Sequence, residues 1–168
     1  INNYDGIMES ESKLAAWYVA SELLIRALPD NEPNEQLFSE LEKYASFLHK
    51  NILDPDQVKK SVIQFQIKAL NSLGLGIRSF TANSQNIVEP QNIWFSLDRG
   101  GFTTEDSVDA IPMRWQSFQA FRSMAADPYE IESNFAPEDL SPLSGLVNKF
   151  VSYQLDREIK SQQLLANT

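Results

Sequence analysis

Between Asp54 and Gly74 the sequence spells out one helix from start to stop. Asp54 is placed to cap the first turn, and Pro55 takes the first helical position, where a missing N–H costs nothing. Gln57 completes a capping box, closing a second unpaired backbone group. Val58, Val62, Phe65, Ala69 and Leu73 follow as an apolar stripe, and Gly74 stands where a left-handed C-terminal cap belongs. A helix this well delimited cannot lie inside a sheet, and its stripe must be covered by other apolar faces. The other segments read mostly as helix too, and they are where that cover is to be sought.

The flanking segments offer such faces. From about Asp5 to Leu28, Ile7, Leu14, Tyr18, Ile25 and Leu28 recur at heptad-like spacing, widened by Trp17 and Leu24. Pro29, Asp30 and Asn31 end that helix. A second helix opens near Asn34, with Leu37, Phe38, Leu41, Tyr44, Ala45 and Leu48 on one face, and His49 in its last turn facing the helix dipole. After Gly74, residues 77–91 are rich in Ser, Asn and Thr and read as loop. Ile93, Phe95 and Leu97 alternate with Trp94 and Ser96, and a glycine turn at Gly100-Gly101 leads into Phe102-Thr103-Thr104, the pattern of a hairpin. A fourth helix fits Pro112 to Ala125 with Trp115, Phe118 and Phe121 inward. An acidic, proline-broken loop spans 127–139, and Ser141-Pro142 starts a last helix carrying Leu143, Leu146, Val147, Phe150 and Tyr153. The expected fold is mainly α, a bundle of about five helices with a small β-hairpin inserted after the third. Residues 1–168 form one domain, since no linker separates independent patterns.

Composition narrows the function. There is no cysteine and one histidine among 168 residues, so thiolate nucleophiles, disulfides and histidine-rich metal sites are excluded and no cofactor is expected. The carboxylate pairs Glu9/Glu11, Asp54/Asp56, Glu105/Asp106 and Glu138/Asp139 fall on loops, caps or polar faces, without the burial that separates catalytic pKa values. The acids between Asp98 and Asp109 miss the spacing of a calcium loop. No Gly-x-Ser-x-Gly elbow occurs. The chain reads as a non-enzyme. No apolar run is long enough for a transmembrane helix. The start, INNYDGIMES, has neither an initiator Met nor a signal region, and reads as part of a longer chain.

The formal charge of −9 is unevenly spread. Residues 1–58 carry 11 acids and 4 bases, and residues 79–145 carry 10 acids and 3 bases. Residues 59–78 hold Lys59, Lys60, Lys68 and Arg78 with no acid. Lys60, Gln64 and Lys68 stand at i, i+4 and i+8, a stripe on the third helix opposite its apolar face. A solvated surface and a docking stripe for an acidic partner are both readings of that island. Strong attraction to nucleic acid by the whole surface is excluded by the acidic balance.

Four segments, in order, resemble the RecO family of recombination mediators. Residues 14–48, LAAWYVASELLIRALPDNEPNEQLFSELEKYASFL, look like the opening of its helical domain, with the E-L-L element at Glu22-Leu23-Leu24. Residues 63–80, IQFQIKALNSLGLGIRSF, are similar to its third-helix segment, with Phe65, Leu70, Leu73, Gly74 and Gly76 in matching places. The hairpin IWFSLDRGGF resembles its short strand pair, and residues 150–165 look like its closing helix with a K-S-x-x-L element at Lys160-Ser161. The family's N-terminal oligonucleotide-binding barrel has no counterpart here. Its four-cysteine zinc finger has none either, since Ser84, Asn86 and the rest of 81–91 contain no cysteine, and its arginine pair falls on Ile63 and Gln64.

The resemblance implies a bacterial cytoplasmic, nucleoid-associated protein of DNA repair, working with RecR to replace single-stranded DNA-binding protein by RecA and to anneal strands. It implies that this chain is the interaction half, holding the acidic tail of single-stranded DNA-binding protein at Lys59, Lys60, Gln64, Phe65, Lys68 and Leu70. Arg78, Lys149, Arg157 and Lys160 are the cations expected nearest DNA, which this chain alone would bind weakly; no membrane is implied. The rival reading is a small helical adaptor outside DNA repair whose cationic stripe is plain surface.

Overall fold

The computed structural model describes residues 4–28, 33–80, 92–131, 135–156 and 158–166. Pro29, Asp30, Asn31, the 81–91 segment and Arg157 lie outside the described residues. Among the described residues six α-helices and a four-stranded sheet follow in the order α1 (Glu11–Ala27), α2 (Glu35–Lys50), α3 (Pro55–Ser72), β1 (Arg78–Phe80), β2 (Ile93–Ser96), β3 (Gly101–Thr103), β4 (Ala110–Met113), α4 (Trp115–Ala126), α5 (Pro137–Leu155) and α6 (Gln162–Ala166). The expected mainly helical fold with strands after the third helix is the fold observed. The hairpin is its β2–β3 pair, with Phe95 opposite Phe102.

Helix α3 is the hub. Its capping box forms as read: Gln57 N donates to Asp54 Oδ1 at 2.8 Å, and Asp54 N to Gln57 Oε1 at 2.9 Å. Gly74 closes it at φ +73°, a conformation that costs glycine little. Helices α1, α2, α4 and α5 all pack on α3, so burial goes well beyond one stripe and takes in Ser61, Gln64 and Gln66. Periodicity marks the apolar face of a helix but not how many neighbours surround it, which is why Gln64 is buried rather than displayed.

The other helices show shifts of the same kind. A 3₁₀ turn at Asp5–Ile7 precedes α1, and α1 buries Ala15, Ala16, Val19, Ala20 and Leu23, leaving Tyr18 and Ile25 exposed. Small residues let two helix axes approach, and that close contact with α3 outweighs the burial the larger side chains would gain. In α2, Asn34 caps as expected, its Oδ1 accepting from Leu37 N. Phe47 and Glu40 turn inward while Phe38 is exposed. His49 Nδ1 accepts a hydrogen bond from Gly6 N at 3.0 Å, tying the 3₁₀ turn to α2. The imidazole thus serves as an acceptor for the chain start rather than as a partner of the dipole.

The strands exceed the expected hairpin. β1 pairs in parallel with β3, so Arg78–Phe80 is strand rather than the expected loop, and β4 pairs with β2 on the other side, giving the order β1-β3-β2-β4. Three-residue strands carry too little alternation to be read from sequence. Pro112 belongs to β4 opposite Trp94, an edge position where its missing N–H is tolerated, so α4 starts at Trp115. Phe95 and Phe102 meet edge-to-face at 5.2 Å, with Phe150 of α5 and Phe118 and Phe121 of α4 within 5.5 Å, which fixes the sheet to the bundle. Helix α5 begins at Pro137, four residues before the expected start, and runs through Pro142.

Candidate protein-docking groove

A groove of about 550 Å³ opens between the N-terminal half of α3, the N-terminal half of α5 and α6. Its apolar lining comes from Val62, Ile63, Leu140 and Leu165, its polar wall includes Ser144 and Asn148, and Lys59 and Lys60 line it from the first turns of α3. Asn148 Oδ1 accepts from the buried Gln66 Nε2 at 3.0 Å, which orients the Asn148 amide. Lys60 Nζ donates to Glu130 O at 3.1 Å; burial lowers its pKa, and the Glu130 carboxylate opposes that shift.

The third wall is a five-residue helix, too short to persist unaided. Leu165 is buried, and the turn before it is held by Glu22 of α1. The Glu22 carboxylate accepts from Lys160 N at 3.1 Å, Ser161 N at 2.7 Å and Ser161 Oγ at 2.6 Å, while Arg26 pairs with it from the next turn. Burial pushes the carboxyl pKa up, but the Ser161 bonds, the Lys160 amide and Arg26 outweigh it and hold it at about 2.

The expected site residues separate into three groups. Lys59 and Lys60 border the groove. Phe65 and Leu70 are core: Phe65 stacks on Tyr44 at 4.7 Å, and Leu70 is fully buried. Gln64 and Lys68 lie under the loop that follows α4. Gln64 Nε2 donates to the carbonyls of Met124, Asp127 and Pro128 at 3.3, 3.0 and 3.1 Å, and Lys68 Nζ stands 5.7 Å from the Tyr129 ring centre. Lys68 borders a second, shallow cavity of about 520 Å³, away from the groove, with Lys43 and Lys50 of α2. The stripe is therefore divided by the 127–130 loop. Arg78 is exposed on the outer strand β1, Lys149 on α5 and Lys160 in the turn before α6, on three separate elements.

Leu140, Leu165 and Asn148 were not foreseen in the site. Leu140 precedes the apparent helix start at Ser141, and Leu165 follows the point where the amphipathic pattern fades. Among the described residues, no three His, Asp or Glu gather as a metal site, and no helix is long and apolar enough to cross a membrane.

The fold is a helical domain built on one central helix, with a cation-lined apolar groove on its flank. The chain belongs to the family described as Recombination protein O C terminal, which matches residues 8–163. Membership carries the role of a recombination-repair mediator. No curated protein matches the chain.

Proposed function

We propose that this domain is the protein-docking half of a recombination mediator, and that the groove between α3, α5 and α6 takes the acidic, Phe-ended tail of single-stranded DNA-binding protein. The observation that supports this is the combination at one place of apolar lining (Val62, Ile63, Leu140, Leu165) with Lys59 and Lys60. An aromatic ring enters the apolar part, leaving the water around it, while the ammonium groups meet the peptide carboxylates. The family's arginine pair falls on Ile63 and Gln64, so Lys59 and Lys60, one turn earlier, supply the charge. Chemistry on covalent bonds has no part in this role. RecR and RecA act beside it, RecR as a partner and RecA as the protein loaded onto the strand that is cleared.

The test is fluorescence anisotropy with a labelled acidic peptide ending in Phe. Exposed ion pairs contribute about 0.2–1 kcal/mol each, so K59E/K60E, which adds repulsion, should lose about 1–3 kcal/mol, roughly 5- to 150-fold in affinity. The loss should shrink as salt rises, because exposed charges are screened over about 8 Å at physiological ionic strength. K68E, outside the groove, should bind the peptide nearly as the unaltered chain does. Equal binding by K59E/K60E and the unaltered chain would refute the assignment.

A further inference from the structure

We infer that the shallow cavity between the end of α2, α3 and the 127–130 loop is a second binding site, for phosphate groups, distinct from the peptide groove. Lys43 and Lys50 of α2 and Lys68 of α3 all border it, with the Ser46 hydroxyl between the two α2 lysines. Lys43 and Lys50 are hidden in a sequence count, because residues 1–58 are acidic as a whole; only the packing of α2 on α3 brings them to Lys68.

Glu40 is the carboxylate in the lining, and Asp127 and Glu130 belong to the bounding loop. Glu40 accepts from the Tyr129 hydroxyl at 2.8 Å and meets Lys43 at 3.5 Å. Asp127 accepts from Ser123 Oγ at 2.6 Å, and the Glu130 charge acts on Lys60. Among the lining residues three lysines stand against the Glu40 carboxylate, a local excess of positive charge on a chain whose formal charge is −9.

The ligand class follows from the lining. Tyr129 is packed between the Tyr44 and Phe47 rings at 5.4 and 5.5 Å, so these rings are committed to one another rather than open to a guest side chain. The cavity thus offers point charges and a hydroxyl over an apolar floor of Phe47, Ala126, Pro128 and Tyr129. Ammonium groups bind phosphate oxygens as point charges. The phosphate has two sources, a free polyphosphate or the backbone of a single strand.

The experiment uses the 168-residue chain with two probes, inorganic triphosphate and a labelled oligo(dT). Binding of triphosphate is read by ¹⁵N–¹H shifts, and binding of oligo(dT) by anisotropy at several salt concentrations. The site predicts triphosphate shifts centred on 43–51 and on Lys68, and at least a 10-fold loss of affinity in K43E/K50E/K68E. If the source is a strand, oligo(dT) displaces triphosphate. The log–log salt slope of oligo(dT) binding then falls by about 2 in the triple variant, at about 0.7 per lost phosphate contact. If the source is a free polyphosphate, triphosphate binds there and oligo(dT) does not compete. The milder K43Q/K50Q/K68Q guards against misfolding and should lose affinity in the same direction. Failure of both probes to bind, equal binding by the triple variants, or shifts centred on Lys59 and Lys60 would overturn the inference. None of these outcomes depends on whether the peptide binds the groove.

Discussion

Glu22 and Ser161, 139 residues apart, are joined by two hydrogen bonds: the Ser161 amide and hydroxyl both donate to Glu22 Oε2, at 2.7 and 2.6 Å. Glu22 lies in the E-L-L element and Ser161 in the K-S-x-x-L element, so two motifs that carry the family resemblance meet in one clamp. The clamp closes the bundle, and it sets the position of the helix that forms the groove's third wall.

Replacing Glu22 with Gln keeps the shape and removes the charge. Hydrogen bonds to charged groups contribute about 1.5–3 kcal/mol each before coupling, so E22Q should destabilise the chain by roughly 1–3 kcal/mol at neutral pH. The folded carboxyl is held at about 2 against an ordinary value of 4.5. Its contribution is therefore present above pH 4.5 and is lost as pH falls toward 2. Urea unfolding at pH 7 and pH 3 should show the gap between E22Q and the unaltered chain narrowing at the lower pH.

Tyr44 and Tyr129 give the opposite sign. Burial raises both phenols above their ordinary value of 10, and for Tyr129 the adjacent Glu40 charge and hydrogen bond raise it further. Both contribute stability as neutral phenols below pH 10, and that contribution is lost as pH climbs above it. In an alkaline titration followed at 295 nm, two of the five tyrosines should ionise only as the chain unfolds. In Y129F a single such tyrosine should remain, with a loss of about 1–2 kcal/mol from the Glu40 bond.

The helices were legible because their signals are local: the capping box at Asp54, the cap at Asn34 and the glycine at Gly74 each depend on residues within one turn. The faces were less so. Tyr18 and Ile25 have the spacing of a buried stripe and are exposed, because which side of α1 meets α3 is decided by how closely Ala16 and Ala20 let it approach. The groove was legible only in its lysines. Its apolar lining joins residues 62–63, 140 and 165, and its closing wall depends on residue 22, separations that no periodicity carries. Gln64 shows the same limit: as one member of an apparent surface stripe it reads as exposed, yet three carbonyls of another segment cover it.

That cover makes Gln64 a structural residue of the 127–130 loop. Q64A leaves three carbonyls without their shared donor and opens space beneath them. A loss of about 1–3 kcal/mol is expected. Hydrogen exchange should quicken in 124–131 while the first turns of α3, with their intact capping box, stay protected.

Pro142 gives the last prediction. It lies in the sixth position of α5, where its ring removes the N–H that would bond Glu138 O and crowds that carbonyl. The start of α4 lies beside these carbonyls: Arg114 Nη1, at its N-cap, is 3.5 Å from Glu138 O, and Ser117 Oγ donates to the next carbonyl, Asp139 O, at 2.8 Å. Pro142 is exposed, so replacing it removes no core contact. Proline costs about 3 kcal/mol relative to Ala in a helix interior, and here the α4 donors offset part of that. Losing proline also loosens the unfolded chain, which takes back about 0.4–1 kcal/mol. P142A should therefore stabilise the chain by about 1–2 kcal/mol, seen as a higher urea midpoint at unchanged slope. If P142A is instead destabilised, the proline is needed to bend α5 toward Arg114 and Ser117. In that case S117A, which removes the stronger of the two α4 bonds, should cost much less in the P142A background than alone.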